Sequence, residues 1–404
     1  MDVGLSHADL LRHSAHLAAY LRHGLQLQAG ERVAIMMPNL LQFPIALLGV
    51  LRADLIAVLV NPMYTARELR HQLSDSGAKA LIVVDNFGQV AAEALDGTSV
   101  RHVITTGIGD QLGFPKSLLT NFVLRRVKKL VPPFHIAGAI RWSKALAAGA
   151  GHPVPEPQAS ASDTVQLQYT GGTTGVSKGA MLTHANFASN CAACSRLADF
   201  RPEDNFFVIL PLHHAFAFMG GLMVPVYNGC EISFAQGLKT VGENIRETRP
   251  TVFFGVPLMI EKMHQRIRQQ LDGNRLARWL WRLRLRGPVR RKVLASLGGR
   301  LRLMITGGAP CDPAVLRSFA ELGLLAVEGY GLTESAPVLT INPPSAPRPG
   351  TVGRALDNVE LRIREPDASG DGEVVARGPN IMKGYYNHPE ATAAVLEDGW
   401  LRTG

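Results

Sequence analysis

The 404-residue sequence is poor in cysteine, has no uninterrupted apolar run of membrane-spanning length, and carries no acidic excess. Four cysteines without regular spacing fit a reducing cytoplasm. Cys191 and Cys194 form one CxxC, but no second pair is present to complete a zinc site. Three residues apart on an expected helix, they read as small buried side chains. The most apolar stretch, residues 40–60, is broken by Pro44, Arg52 and Asp54. It is therefore expected to be a buried helix followed by a buried strand. The opening residues Met1-Asp-Val-Gly lack the basic region of an export signal. These absences imply a soluble, cytoplasmic chain, at most peripheral on the inner face of a membrane. No internal repeat is visible.

What is present is ordinary globular material, 46% hydrophobic and 19% charged. Basic residues number 42 against 33 acidic ones, a net +9 spread as a bias rather than a tail. Such a balance suits nucleic acid, anionic lipid or phosphorylated small molecules. Helical spacing over 8–25, 66–76 and 184–197 alternates with apolar strand-like runs at 32–37, 80–85, 101–105 and 164–169. A second set of strands is expected at 206–210, 251–254 and 301–306. This alternation predicts an α/β fold of two layered subdomains with mostly parallel sheets. Four prolines in 343–349 mark a change of character, after which 359–364 and 372–377 suggest a small β unit. The expected division is 1–345 for the two α/β subdomains and 346–404 for the β-rich one.

The densest chemistry lies in YTGGTTGVSKG, residues 169–179. Gly171, Gly172 and Gly175 allow backbone N–H groups to approach an anion closely. Thr170, Thr173, Thr174 and Ser177 add hydroxyls, and Lys178 adds a mobile cation. A strand before the loop and a helix after it would make a phosphate-binding context. The P-loop NTPase spacing is excluded, because Ser177 stands where that motif has a glycine before its lysine.

The sequence YTGGTTGVSKGAMLTH resembles the signature loop of the adenylate-forming superfamily of acyl-CoA synthetases, luciferases and peptide-synthetase adenylation domains. LPLHHAFA at 210–217 and EGYGLTE at 328–334 are similar to that family's next two motifs, in the same order. GPNIMKGYY at 378–386 and DGWLRTG at 398–404 resemble the last segments of its large domain. MMPNLL at 36–41, VNPMYT at 60–65 and QLQY at 166–169 are most similar to bacterial long-chain fatty acyl-CoA synthetases. The resemblance implies ATP-dependent activation of a fatty acid to acyl-AMP, then thioester formation with CoA. It implies that the β-rich unit is barrel-like. It also implies that the C-terminal lid domain, with the lysine used in adenylation, lies beyond the last residue, so that this chain would be a weak catalyst.

Carried over by motif, Tyr169, Thr170, Gly171, Gly172, Thr173, Thr174, Gly175, Ser177 and Lys178 are expected to hold the ATP phosphates. Glu334, with Thr173, is the expected Mg²⁺ ligand, a hard oxygen donor. Gly307, Gly308, Ala309, Pro310, Glu328, Gly329, Tyr330, Gly331, Leu332 and Thr333 are expected around AMP, Tyr330 offering a ring face to adenine. His214 is expected to shape the carboxylate site, since an ionised fatty acid needs no base. Phe218 stands where relatives carry an aromatic gate. Gly220, Gly221, Gly255, Val256 and Pro257 are expected along the acyl tunnel, although the apolar set 215–224 reads equally as core.

Two basic stretches remain. Residues 117–131 place Leu119, Phe122, Val123, Val127 and Leu130 opposite Arg125, Arg126, Lys128 and Lys129, as in a helix on an anionic membrane or a solvated surface helix. Around Trp279 and Trp281 gather Arg278, Arg282, Arg284, Arg286, Arg290, Arg291 and Lys292. Tryptophan with arginine favours a lipid interface over nucleic acid, for which no fold pattern is present. An oligomer is left open. So are a ligase for another carboxylic acid, such as an aryl or short-chain acid, a fatty acyl-AMP ligase, and a non-catalytic acyl- or nucleotide-binding remnant.

Overall fold

The computed structural model describes residues 3–170, 177–283 and 285–404, with the side chain of residue 282 left aside. The chain divides into two compact units, one running to His184 with Met382–Ala393, the other Ala185–Ile381 with Ala394–Gly404.

In the first unit, β1 (Arg32–Met36), β2 (Ile56–Leu59), β3 (Ala80–Val84), β4 (His102–Thr106), β5 (Ile140–Arg141), β6 (Thr164–Tyr169) and β7 (Gly179–Thr183) form one sheet. Their order is β5-β4-β3-β1-β2-β6-β7. All pairings are parallel except that of β6 with β7. All five residues of β3 are buried, because helices cover both faces and leave no side for alternation. The helix Ala66–Ser76 starts where Thr65 accepts the Glu68 N–H and Glu68 accepts the Thr65 N–H at 2.8 Å, a reciprocal cap written in the sequence as TARE. Leu69 and Leu73 from that helix then pack on Ala34, Val58 and Leu81.

In the second unit, β8 (Asn205–Val208), β9 (Glu231–Phe234), β10 (Val252–Gly255), β11 (Leu303–Thr306), β12 (Leu325–Gly331), β13 (Val338–Ile341) and β14 (Arg354–Ala355) form a sheet of order β14-β13-β12-β11-β10-β8-β9. β9, β8, β10, β11 and β12 run parallel; β13 and β14 complete it antiparallel. The core gathers Phe207, Phe253, Met304, Leu316 and Phe319, with Phe207 and Phe253 stacked at 6.0 Å.

The remaining strands, β15 (Glu360–Arg364), β16 (Glu373–Arg377), β17 (Leu396–Glu397) and β18 (Trp400–Arg402), make an antiparallel sheet of order β15-β16-β18-β17. Its two edge strands, β15 and β17, do not pair among the described residues, so the unit is a sheet without barrel closure. No helix among the described residues is long and apolar enough to cross a membrane.

The first basic stretch is helical over Lys116–Phe122 and a π turn at Val123–Val127, neither of which has a buried residue, whereas Lys128, Lys129, Leu130 and Val131, expected on the same helix, lie beyond its end. The second forms helices Arg275–Arg282 and Arg286–Ser296. Here the two tryptophans part: Trp279 is exposed, whereas Trp281 packs against the core and under the Arg286 guanidinium at 4.8 Å.

Candidate functional site

The glycine-rich loop joins β6 to β7, which pair antiparallel with Tyr169 opposite Gly179. This corrects the strand–loop–helix context expected from sequence. A strand, Gly179–Thr183, intervenes before the helix His184–Ala198. Gly171, Gly172, Thr173, Thr174 and Gly175 lie outside the described residues. The neck of the loop is pinned: the Thr170 N–H donates to the Lys178 carbonyl at 3.1 Å, and the Ser177 hydroxyl donates to the Thr170 carbonyl. Ser177 also hydrogen-bonds the Tyr64 side chain. Lys178 Nζ sits 4.7 Å from the Tyr385 ring centroid, a contact that aims its long stem. The Tyr169 hydroxyl donates to Asp75 at 2.6 Å, and burial together with that carboxylate pushes its pKa up. Tyr169 is thereby a fixed strut at the loop's base.

The second unit encloses a cavity of about 250 Å³. Its apolar walls include Ala198, Phe200, Phe216, Met219, Val224 and Phe254, and its rim includes Gly307, Gly308 and the run Gly329–Thr333. Of the expected site residues, His214, Gly220, Gly307, Gly308, Gly329, Tyr330, Gly331, Leu332 and Thr333 come together here. The chain supplies them at strand ends: Gly307 and Gly308 follow β11, and Gly329, Tyr330 and Gly331 close β12. Gly331 is required by close approach, because a Cβ on it would lie 1.8 Å from the Pro337 carbonyl oxygen.

Other expected residues lie apart from that lining. Phe218 is buried against Phe187, with ring centroids 5.1 Å apart. Gly221 faces the Val208 side chain. Gly255, Val256 and Pro257 leave the wall to their neighbour Phe254. Ala309 and Pro310 are exposed. Glu328 is buried and accepts the Cys311 N–H at 2.9 Å, bracing the turn after β11 against β12; its second oxygen has no hydrogen-bond partner within the chain. Glu334 sits half-buried in a single turn, Thr333–Ser335, directly after the cavity-lining Thr333.

The histidines are both neutral near pH 7. Burial, with the neighbouring His214, lowers His213 to about 3. Burial also lowers His214, whose ring lies 4.2 Å from that of His213. His214 offers the cavity a hydrogen-bonding edge without charge. Of the CxxC, Cys191 is buried against Met219, but Cys194 reaches the cavity wall; burial pushes each thiol up to about 12.

Two asparagines escaped the sequence reading. Asn380, fully buried, donates to the Ser335 carbonyl at 2.8 Å and the Val338 carbonyl at 3.1 Å. Asn190 donates to the same Val338 carbonyl at 2.8 Å and accepts its N–H at 3.3 Å. Together they fix the corner that carries Thr333 and Glu334. The only signal was the presence of Asn380 inside the GPNIMKGYY segment.

The first unit carries the glycine-rich loop sequence, and the second holds an apolar cavity lined in part by Gly307, Gly308 and Gly329. The profile of AMP-binding enzymes matches residues 2–386, and the chain belongs to that family. It is 40% identical to a long-chain-fatty-acid–CoA ligase of Yersinia pestis, over 97% of this chain and 68% of that protein. It is 38% identical to one of Haemophilus influenzae, over 99% of this chain and 70% of the other. Among solved structures, ATP-bound MatB from Rhodopseudomonas palustris superposes with a TM-score of 0.75 at 26% identity, covering 98% of this chain and 70% of MatB.

Proposed function

We propose that this chain carries out the chemistry of a long-chain-fatty-acid–CoA ligase. A carboxylate oxygen of the fatty acid attacks the α-phosphorus of ATP and pyrophosphate leaves, giving acyl-AMP. The thiol sulfur of CoA then attacks the acyl carbon, loses its proton, and AMP departs. The observation that carries this reading is the cavity itself, with aromatic and aliphatic walls beneath a rim of glycine backbone and Thr333. Apolar walls suit an alkyl chain, while exposed backbone at the rim suits the acyl-phosphate. The fatty acid arrives ionised, so neutral His214 orients rather than deprotonates it. The pinned loop carrying Ser177 and Lys178 is assigned to the β- and γ-phosphates, and Tyr330 to adenine.

Magnesium would neutralise phosphate charge as pyrophosphate departs. It commonly takes one or two carboxylates and completes its shell with phosphate oxygens and water. Glu334 is the carboxylate this chain would give it. Glu334→Gln should abolish Mg²⁺-dependent nucleotide binding; unaltered binding would remove Glu334 from the metal site. The two basic stretches, Arg125–Lys129 and Arg278–Lys292, are assigned to the inner, anionic face of a membrane, where the fatty acid is presented.

Calorimetric titration with non-hydrolysable dodecanoyl- and acetyl-adenylate analogues tests the assignment. Clearly tighter binding of the long analogue is expected. Equal binding would reject the fatty-acid substrate, and binding of neither would reject the adenylate site.

A further inference from the structure

A second cavity, about 360 Å³, lies in the first unit. Asp85 and Asn86, which follow β3, and Gly107 and Ile108, which follow β4, form one side of it. Carboxyl ends of parallel strands are where open α/β sheets bind ligands. Its other side comes from the amphipathic stretch at 121–131, which contributes Arg125 and Arg126. The fatty-acid chemistry uses none of these residues.

The cations are built in. Arg141 Nη1 donates to both Asp85 oxygens at 2.6 and 2.9 Å, and its Nη2 donates to Asp110 at 3.2 Å. Arg125 donates to the same Asp85 carboxylate at 3.0 Å, and that carboxylate is 5% exposed. Arg126 stands beside them, exposed. Asn86 donates to the Leu130 carbonyl at 2.9 Å, which fixes its amide; its buried oxygen has no hydrogen-bond partner within the chain. Asp85 and Asp110 hold Arg125 and Arg141 in place and offset part of their charge, so Arg126 is the cation the pocket adds for a phosphate, while Asn86 gives one acceptor to a hydroxyl.

The surroundings select the source of that phosphate. Between Asp110 and Glu156 the sequence has no acidic residue, but it has Lys116, Arg125, Arg126, Lys128, Lys129, Arg141 and Lys144. On the same stretch Phe114, Leu118, Leu119, Phe122, Val127 and Leu130 are each more than half exposed. A soluble anion would gain nothing from these apolar side chains, whereas a bilayer covers them. We propose that this cavity is a phosphate site for the headgroup of an anionic, hydroxyl-bearing phospholipid, while the exposed apolar side chains enter the acyl boundary. The proposal rests on the membrane assignment above and names the lipid group that the first basic stretch recognises.

The test is co-sedimentation of the chain with phosphatidylcholine vesicles, with and without one third phosphatidylglycerol, for wild type, Arg126→Gln and Lys128→Gln. Both substitutions remove one surface charge, but only Arg126 lines the cavity. Loss of one charge near an anionic surface weakens binding about fivefold, which is the expected result for Lys128→Gln. Arg126→Gln should weaken it about tenfold further, because hydrogen bonds to the phosphate go with it. Equal losses in the two variants would overturn the cavity site and leave the membrane assignment standing. Failure of wild type to bind phosphatidylglycerol vesicles would overturn both. Calorimetry with glycerol phosphate supplies the remaining arm: Arg126-dependent binding without any vesicle binding would overturn the lipid source in favour of a soluble phosphate ester.

Discussion

Gly220 lies so close to the ring of Phe254 that a Cβ on it would stand 2.3 Å from Phe254 Cε1. Phe254 is held from its other sides by Phe206, stacked at 5.8 Å, and Phe216, edge-on at 5.7 Å. The ring therefore has no retreat except into the cavity that Gly220 and Phe254 both line. Gly220→Ala should cost about 2 kcal/mol through overpacking and weaken the dodecanoyl-adenylate analogue more than the acetyl one. Urea unfolding and paired titrations read both effects; an unchanged preference between the two analogues would separate Phe254 from chain accommodation.

Asn380 makes a different prediction: it does not line the cavity itself but holds the carbonyl of Val338, which does. Asn380→Ala strips the donor from the buried Ser335 carbonyl, while the Val338 carbonyl keeps Asn190. The expected cost is about 1 to 2 kcal/mol, that of one buried acceptor left unpaired. The corner carrying Thr333 and Glu334 should loosen too, weakening nucleotide binding at temperatures where the variant is still folded. A destabilised variant with wild-type nucleotide affinity would make Asn380 purely structural.

His213 ties stability to pH. Its native pKa, lowered to about 3 by burial and then by His214, lies well below the ordinary histidine value. Below about pH 6.5 the unfolded chain takes up a proton that the native chain refuses, so stability falls as pH drops towards 3. Near pH 5 the loss amounts to about 2 kcal/mol, and His214, shifted the same way, adds to it. His213→Phe should flatten part of this slope between pH 7 and 5 in denaturant titrations. An unchanged slope would place the proton-linked step elsewhere.

Asp204 acts further down the pH scale. Burial opposes its charge, but hydrogen bonds from Arg302, Thr251 and the Arg201 N–H outweigh that and hold its pKa below the ordinary value. Arg302 Nε reaches it at 2.9 Å and the Thr251 hydroxyl at 2.6 Å. The stabilisation is complete above the unfolded carboxyl value of about 4 and is lost as pH falls through the lower native one. Asp204→Asn should therefore cost about 2 kcal/mol at pH 7, and the gap to wild type should shrink in strong acid. Thermal unfolding at both pH values checks it, and a gap of constant size would contradict the assignment.

The sequence by itself determined the elements and their chemistry. Apolar runs such as 80–84 can only be buried strands, TARE at 65–68 starts a helix, and the ordered motifs name an AMP-binding enzyme. Tertiary structure decided what depends on pairing and approach. The run Gly179–Thr183 is too short to announce itself; antiparallel pairing with β6 makes it a strand where the sequence pointed directly to a helix. Periodicity could not sort residues 215–224 into tunnel and core, because the π turn Met219–Met223 adds a residue and shifts which side chains face inward. Asn190 and Asn380 meet at one carbonyl although 190 positions separate them, and no local pattern encodes such a contact. Burial, finally, is a property of the assembled fold, so only the fold could show that both histidines of the LPLHHAFA motif remain neutral.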